Sequence, residues 1–235
     1  MGSVVVQQVI ILAAGMGTRL GKPWPKPLTP LKDGRTIMEQ QMSNISAAFG
    51  EAARIGVVVG FKMEMIMEAH PRATFIYNEV FDHTNTSKSL WRALKASCDG
   101  GVLWMNGDVV FDAKVLERIK PLIEKDQSFI CVNTSKVAEE EVKYTVDANG
   151  NIKELSKQVV DALGEAVGIN FVAAKDKAAL INRLNEVADN DYFERGIEVS
   201  IEKDRSSFIP VDISDLFAVE VDFPEDLERA NESVK

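Results

Sequence analysis

The 235-residue sequence predicts an α/β fold: a doubly wound, mostly parallel sheet between two layers of helices, with a small β-hairpin inserted. Three observations carry that prediction. Apolar runs of strand length alternate with segments of helical periodicity, as in repeated strand–helix–strand units. The first run, residues 4–12, is apolar apart from Gln7 and Gln8, as a central strand covered on both faces requires. Further on, Asn149-Gly150 separates two short runs, and this dipeptide strongly favours a tight two-strand turn.

The elements follow in order. Residues 36–49 place Ile37, Met38, Met42, Ile45 and Phe49 at near-helical spacing. Residues 55–59 read as a second buried strand ending at Gly60, and residues 62–69 as a short helix stopped by His70-Pro71. A strand over 74–77 and a polar loop over 78–85 lead to a helix over 87–98 with Leu90, Trp91 and Leu94 on its apolar face. The fourth strand, 101–105, runs into Asn106-Gly107-Asp108. Next come a helix over 113–125, with Pro121 expected to kink it, and a strand over 129–132. The hairpin arms are 144–147 and 152–155, followed by a strand over 166–173 and helices over 175–188 and 192–203. Strands over 208–211 and 217–221 precede a last helix with Pro224 in its first turn. No repeat, low-complexity segment or Pro/Ser-rich linker intervenes, so residues 4–235 are expected to form one domain.

Composition excludes several classes. The net charge of −9, from 36 acidic and 27 basic residues, disfavours general nucleic-acid binding, which needs a basic face. No apolar run reaches the length of a membrane span. The N-terminus lacks the basic residues and cleavage pattern of a signal peptide, so a cytoplasmic location is expected. Cys98 and Cys131 lie far apart without metal-ligand spacing and are expected to be reduced core residues.

The chemistry is concentrated in Val9-Ile10-Ile11-Leu12-Ala13-Ala14-Gly15-Met16-Gly17-Thr18-Arg19-Leu20, followed by Pro25-Lys26-Pro27. A buried strand feeds a loop in which Gly15 and Gly17 let the backbone approach an anion. Arg19 adds a charged fork and Lys26 a point charge, while the flanking prolines fix the backbone around Lys26. The pattern suits a polyphosphate. It is not the dinucleotide fingerprint, whose third glycine would fall at Leu20, and no P-loop string occurs.

Leu12-Ala-Ala-Gly-Met-Gly-Thr-Arg-Leu with Pro25-Lys-Pro-Leu resembles the signature of the nucleotidyltransferases. That group includes the sugar-1-phosphate pyrophosphorylases and the cytidylyltransferases of phosphocholine, aminoethylphosphonate and inositol phosphate. The segment between Leu20 and the Pro-Lys-Pro is short here, Gly21-Lys22-Pro23-Trp24. The resemblance implies a Rossmann-like three-layer sandwich with Arg19 and Lys26 as catalytic residues. It implies that Leu12, Ala13, Ala14, Gly15, Gly17 and Gly107 hold the nucleotide, and that Asp108 and Asp222 share a Mg²⁺ ion. Each of these aspartates ends a predicted strand, where open α/β sheets bind ligands. Taken singly, such an aspartate is equally at home as a cap or turn residue.

Asn85 and Ser89 match a pattern beside the nucleobase in the resembling cytidylyltransferases, and both also suit a plain helix start. Lys157 matches the family's second lysine and is assigned the acceptor phosphate, with Glu165 facing a hydroxyl or an amine. Asp191-Tyr192-Phe193-Glu194 is similar to a stretch lining a cationic head-group site, where an aromatic face attracts an ammonium. The same four residues also read as an acidic helix N-terminus with an aromatic in the core. At the segment Asp222-Phe223-Pro224-Glu225-Asp226 the family commonly has Thr where Phe223 stands, which removes a capping hydrogen bond.

The expected function is transfer of a nucleoside monophosphate, CMP from CTP, to phosphocholine or an aminoalkyl phosphate or phosphonate, releasing pyrophosphate. A sugar or inositol 1-phosphate is the alternative acceptor, and a nucleotide-binding regulator the non-enzymatic alternative. A glycosyltransferase fits poorly, because Asp108 is followed by Val109-Val110 and not by a second aspartate. A homo-oligomer is compatible with the sequence.

Overall fold

The strand that opens the chain, β1 (Gln8–Ala13), is buried along its whole length. A computed structural model describes residues 7–135 and 137–234. Val4, Val5 and Val6 of the predicted first strand, and Lys235 of the expected domain, lie outside the described residues. The chain continues through α1 (Ile37–Phe49), β2 (Arg54–Val59), α2 (Met63–Ala69), β3 (Thr74–Tyr77), α3 (Thr86–Ala96), β4 (Val102–Asn106) and β5 (Val109–Phe111). Then follow α4 (Lys114–Glu124), β6 (Phe129–Asn133), β7 (Lys143–Val146), β8 (Ile152–Ser156) and β9 (Gly164–Val172). The last elements are α5 (Ala174–Glu186), α6 (Phe193–Asp204), β10 (Ile209–Asp212), β11 (Ala218–Glu220) and α7 (Pro224–Ser233).

The main sheet has the order β10-β6-β9-β4-β1-β2-β3. Its pairings are parallel except at β9, which runs antiparallel to both β4 and β6. The β7–β8 hairpin attaches to the start of β9. This is the mostly parallel, helix-covered α/β sheet that the sequence predicts.

Side chains of a strand alternate between faces, and β1 shows it residue by residue. Val9, Ile11 and Ala13 enter one core with Met38 and Ile45 of α1 and Val115, Leu116 and Ile119 of α4. Ile10 and Leu12 enter the opposite core with Leu90 and Leu94 of α3, Leu184 of α5 and Ile197 of α6. A third cluster joins Leu20, Ile37, Val110, Val219 and Ala230, so α7 is packed back onto the start of the chain.

One polar face of α1 is buried for a structural purpose. The Gln41 amide donates to the carbonyls of Asn106 and Val109, at 2.8 Å each. Gln40 and Asn44 both donate to the Phe111 carbonyl, at 2.7 and 2.9 Å. These bonds brace the turn between β4 and β5 that carries Asp108. The short β5 was not expected from sequence; three residues carry too little periodicity, and β5 is defined by its antiparallel partner β11.

One expectation needs correction. Cys98 is not a core residue but exposed beyond α3, whereas Cys131 is buried; both are free thiols. The hairpin forms as expected, with Asp147 bonding Asn151 across its turn and Gly150 in the left-handed conformation at φ +81°. The fourth helix carries Pro121 inside and runs on to Glu124, over the expected span. At α7 the capping oxygen missing from Phe223 is offset from the other side, since Asp226 accepts from the amides of Asp222 and Phe223 at 3.0 and 2.8 Å. No helix among the described residues is long and apolar enough to cross a membrane.

The brace predicts a measurable cost. Gln41→Leu keeps the volume but leaves two carbonyls without a partner, and an orphaned buried acceptor costs about 1–3 kcal/mol. Denaturant unfolding should show a loss in that range, with turnover falling in the folded fraction as the Asp108 turn loosens. An unchanged stability would show that the α1 amides do not hold the turn.

Candidate active site

A cavity of about 520 Å³ opens at the carboxyl ends of β1 and β4. Leu12, Ala13, Gly15, Gly17, Arg19, Lys26, Gly107, Asp108, Lys157, Glu165, Tyr192 and Asp222 all line it. Three residues named from sequence do not. Ala14 is buried with its carbonyl bonded to the Phe61 amide. Asn85 caps α3 and bonds the amide of Thr86 and the carbonyl of Asn190. The Ser89 hydroxyl is buried against the Asn78 amide. The cap reading therefore describes Asn85, Ser89 lies inside α3 as the acceptor of Asn78, and Thr86 is the α3 residue that faces the cavity.

The two loop glycines differ in kind. Gly17 sits at φ +59°, and a Cβ there would come within 3.0 Å of Lys26 Cβ. Backbone and sterics both require glycine at that position. A Cβ on Gly15 would meet nothing within 4 Å, so Gly15 is open on the cavity side. Pro25 and Pro27 bracket Lys26 in a tight turn spanning Lys26–Leu28, closed by the Leu28 amide on the Pro25 carbonyl at 2.9 Å.

Lys26 delivers its ammonium to the two strand-end aspartates. Nζ lies 2.8 Å from Asp108 Oδ2 and 2.5 Å from Asp222 Oδ1, and Arg19 reaches the other Asp222 oxygen at 2.9 Å. Burial works against the Lys26 charge, but the two carboxylates outweigh it and hold its pKa above the usual lysine value. Burial likewise raises Asp222, and Lys26 and Arg19 more than offset it, so its pKa lies below the usual carboxylate range. Asp108 Oδ1 is buried with no hydrogen-bond partner. A pair of hard oxygen donors around one point, one oxygen still unpartnered, fits Mg²⁺, which takes one or two protein carboxylates and keeps several waters.

The opposite wall is acidic. Among the described residues nine carboxyl side chains and only four cationic ones line the cavity, so a polyanionic ligand needs added positive charge to enter. Glu165 accepts from the Ala138 amide at 2.9 Å. Glu220 is raised well above the usual carboxylate range by burial and by Asp108, and its carboxylate accepts from Asn106 Nδ2 at 3.2 Å. Lys157 holds its ammonium 4.8 Å from the centre of the Tyr192 ring. Of the sequence-derived quartet, Asp191 serves a turn by accepting from the Ala188 amide, and Phe193 packs edge-on against Trp104 in the core. Tyr192, Phe193 and Glu194 all line the cavity, although Phe193 is almost fully buried.

The sequence reading gave no role to Glu141 or Glu220, and named Glu194 only within the Asp191–Glu194 stretch. A signal existed for Glu220, because strand alternation puts it on the same side as Asp222, two residues on. For Glu141 none existed, since it lies in a loop.

Residues 9–162 match the model of the MobA-like NTP transferase domain. The chain belongs to that family. Over 95% of its length this NTP transferase is 26% identical to the CMP-5'-(3-aminopropyl)phosphonate synthase of Streptomyces rubellomurinus, and it spans 38% of that protein. Over 46% of its length it is 33% identical to the bifunctional protein GlmU of Methanococcus vannielii, covering 26% of it. The chain thus spans less than half the length of these curated relatives. Among solved structures, the CTP:phosphocholine cytidylyltransferase LicC of Streptococcus pneumoniae superposes with a TM-score of 0.79 at 16% identity, covering 98% of this chain and 100% of that one. The inositol-1-phosphate CTP transferase of T. maritima gives a TM-score of 0.77 at 15% identity, covering 98% of both chains. At these identities the two structures establish the fold.

The glycine pair gives a test. Gly17→Ala should lose about 1–2 kcal/mol of stability through its left-handed φ and its contact with Lys26. Gly15→Ala should unfold at the wild-type denaturant midpoint yet bind nucleoside triphosphate more weakly in calorimetry. Equal stability of the two variants would contradict the steric distinction.

Proposed function

We propose that this chain is a Mg²⁺-dependent nucleotidyltransferase that moves CMP from CTP to a small phosphorylated acceptor bearing an amine. The observation that carries the reading is the charge arrangement of the cavity: two aspartates gathered on one lysine at the phosphate loop, facing an acid-rich wall. Nucleotidyl transfer brings an anionic acceptor oxygen onto an anionic α-phosphorus, so charge neutralisation and in-line placement matter more than acid–base work.

In this reading the open backbone at Gly15 and the Gly17 turn receive the triphosphate, with Arg19 and Lys26 against its outer phosphates. Asp108 and Asp222 hold the Mg²⁺, which when bound neutralises phosphate oxygens and orients them. Lys157 takes the phosphate or phosphonate of the acceptor. An acceptor oxygen then bonds to the α-phosphorus as the bond to the bridging oxygen of pyrophosphate breaks. The excess of carboxylates beyond the metal pair favours an acceptor that brings its own positive charge, and this supports an aminoalkyl phosphate or phosphonate over a neutral sugar or inositol phosphate. The 26% identity with the aminopropylphosphonate synthase over nearly the whole chain supports the same choice.

Pyrophosphate release, measured for each common nucleoside triphosphate against aminoalkyl phosphonates, phosphocholine, glucose 1-phosphate and inositol 1-phosphate, tests the reading. CTP with an amine-bearing acceptor should give the highest kcat/KM. A preference for a sugar phosphate would overturn the acceptor class, and no release with any pair would favour a nucleotide-binding regulator. Asp108→Asn and Asp222→Asn should each keep the fold and lose at least about 100-fold in kcat, since each removes charge from a hard-cation site. Near-normal rates at limiting Mg²⁺ would remove that residue from the metal.

A further inference from the structure

The connection between α5 and α6, residues 187–192, forms part of the cavity wall, since Tyr192 at its end lines the cavity. None of its residues is buried, so apolar packing does not hold it in place. Hydrogen bonds to the start of α3 do. The main-chain amide of Asn85 donates to the Asp189 carbonyl at 2.8 Å, and that of Ser87 to the Asp191 carbonyl at 3.3 Å. The Phe193 amide donates back to the Thr86 hydroxyl at 3.1 Å. The first amides of a helix have no partner within it, and here the carbonyls of another segment take them.

One buried side chain fastens the other end of the connection. Lys88 is only 7% exposed, and its ammonium donates to the carbonyls of Leu184, Asn185 and Val187 at 3.0, 3.2 and 2.6 Å. Leu184 and Asn185 lie in the last turn of α5, where carbonyls lack helical partners and carry the negative end of the helix dipole. A lysine ammonium has three donors, and each finds one of these oxygens. Asp189 Oδ1 stands 3.8 Å away and adds opposite charge. Lys88 itself does not line the cavity. It follows Thr86 by two residues, about 200° around the helix, so Thr86 faces the cavity while Lys88 faces α5.

We infer that Lys88 is a positioning residue: it pins the end of α5 to α3 and so sets where the connection, with Tyr192 at its end, stands in the cavity wall. The inference assigns a residue outside the cavity, and its kinetic part rests on the nucleotidyltransferase reading above. The two flanking helices are held independently. Leu90 and Leu94 anchor α3 in the core, and Phe193 anchors α6 against Trp104. Loss of the ammonium therefore loosens the connection between two fixed helices, a local opening and not a global one. In the reading above the triphosphate meets the glycine loop after β1 and not this connection, so the kinetic effect falls on the acceptor.

Lys88→Met keeps the side-chain length and removes the ammonium. Native-state hydrogen exchange, followed by NMR, should show the main-chain amides of Asn85, Ser87 and Phe193 exchanging at least about tenfold faster, and that of Ile11 in β1 changing by a smaller factor. With CTP and the best acceptor of the panel above, KM for the acceptor should rise at least about fivefold, while kcat and KM for CTP stay within about twofold of wild type. Lys88→Gln keeps an amide donor on a shorter arm. It should fall between wild type and Lys88→Met on both readouts, and it serves alone if Lys88→Met does not fold. Equal acceleration at all these amides would show lost stability only and overturn the inference. An acceptor KM that stays at the wild-type value, or rises no more than that of CTP, would overturn it too. A wild type that turns over no acceptor overturns the nucleotidyltransferase reading, and the exchange pattern then decides the role of Lys88 by itself.

Discussion

One lysine shared by two aspartates is the constraint on which the site depends. Lys26 comes from the loop after β1, Asp108 from the end of β4, and Asp222 from the segment after β11, so three distant parts of the chain meet at one ammonium. Two carboxylates drawn this close repel unless a cation stands between them. Lys26 supplies that charge, and Gly17 is the residue that lets the loop after β1 lie against its stem. The same geometry that neutralises the pair also keeps both carboxylates beside the glycine loop that follows β1.

The fold serves this convergence. Parallel strands all end on one edge, so the loops after β1 and β4 are neighbours without further design. The Gln40, Gln41 and Asn44 amides of α1 then fix the β4–β5 turn, and the β5–β11 pair carries the chain back to place Asp222 opposite Asp108. The C-terminal helix α7 locks the arrangement through its packing on Leu20 and Val219. Burial of amide side chains in an otherwise apolar interface is the cost of a rigid turn, and it is offset because each of these three amide donors finds a carbonyl.

Much of this was legible in the sequence, because the relevant signals are local. Strand and helix order followed from hydrophobic period, and the cavity-lining loop from glycines, Arg19 and the Pro-flanked Lys26 within one short stretch. The strand-end positions of Asp108 and Asp222 followed from the elements before them. The remainder depends on tertiary contact. That Lys26 pairs with both aspartates cannot be read from spacing, nor can the difference between Gly15 and Gly17, which lies in one φ angle and one neighbour. Asn85 and Ser89 show the converse. Their residue types suit a cap and a base contact equally, and only the structure shows Ser89 buried against Asn78. The Asp191–Glu194 stretch likewise suited both a helix start and a head-group site, and only the structure shows Phe193 packed on Trp104 and Asp191 holding a turn.

If Mg²⁺ takes the carboxylate pair, it competes with Lys26 for the same oxygens, and removing the lysine exposes that competition. The direct measurement is Mn²⁺ binding, as a spectroscopic stand-in for Mg²⁺, to nucleotide-free wild type and Lys26→Met by electron paramagnetic resonance. The metal should bind the variant several-fold more tightly, at one site that Asp108→Asn abolishes in the same background. Equal or weaker binding in Lys26→Met would contradict the assignment of Asp108 and Asp222 as the metal pair.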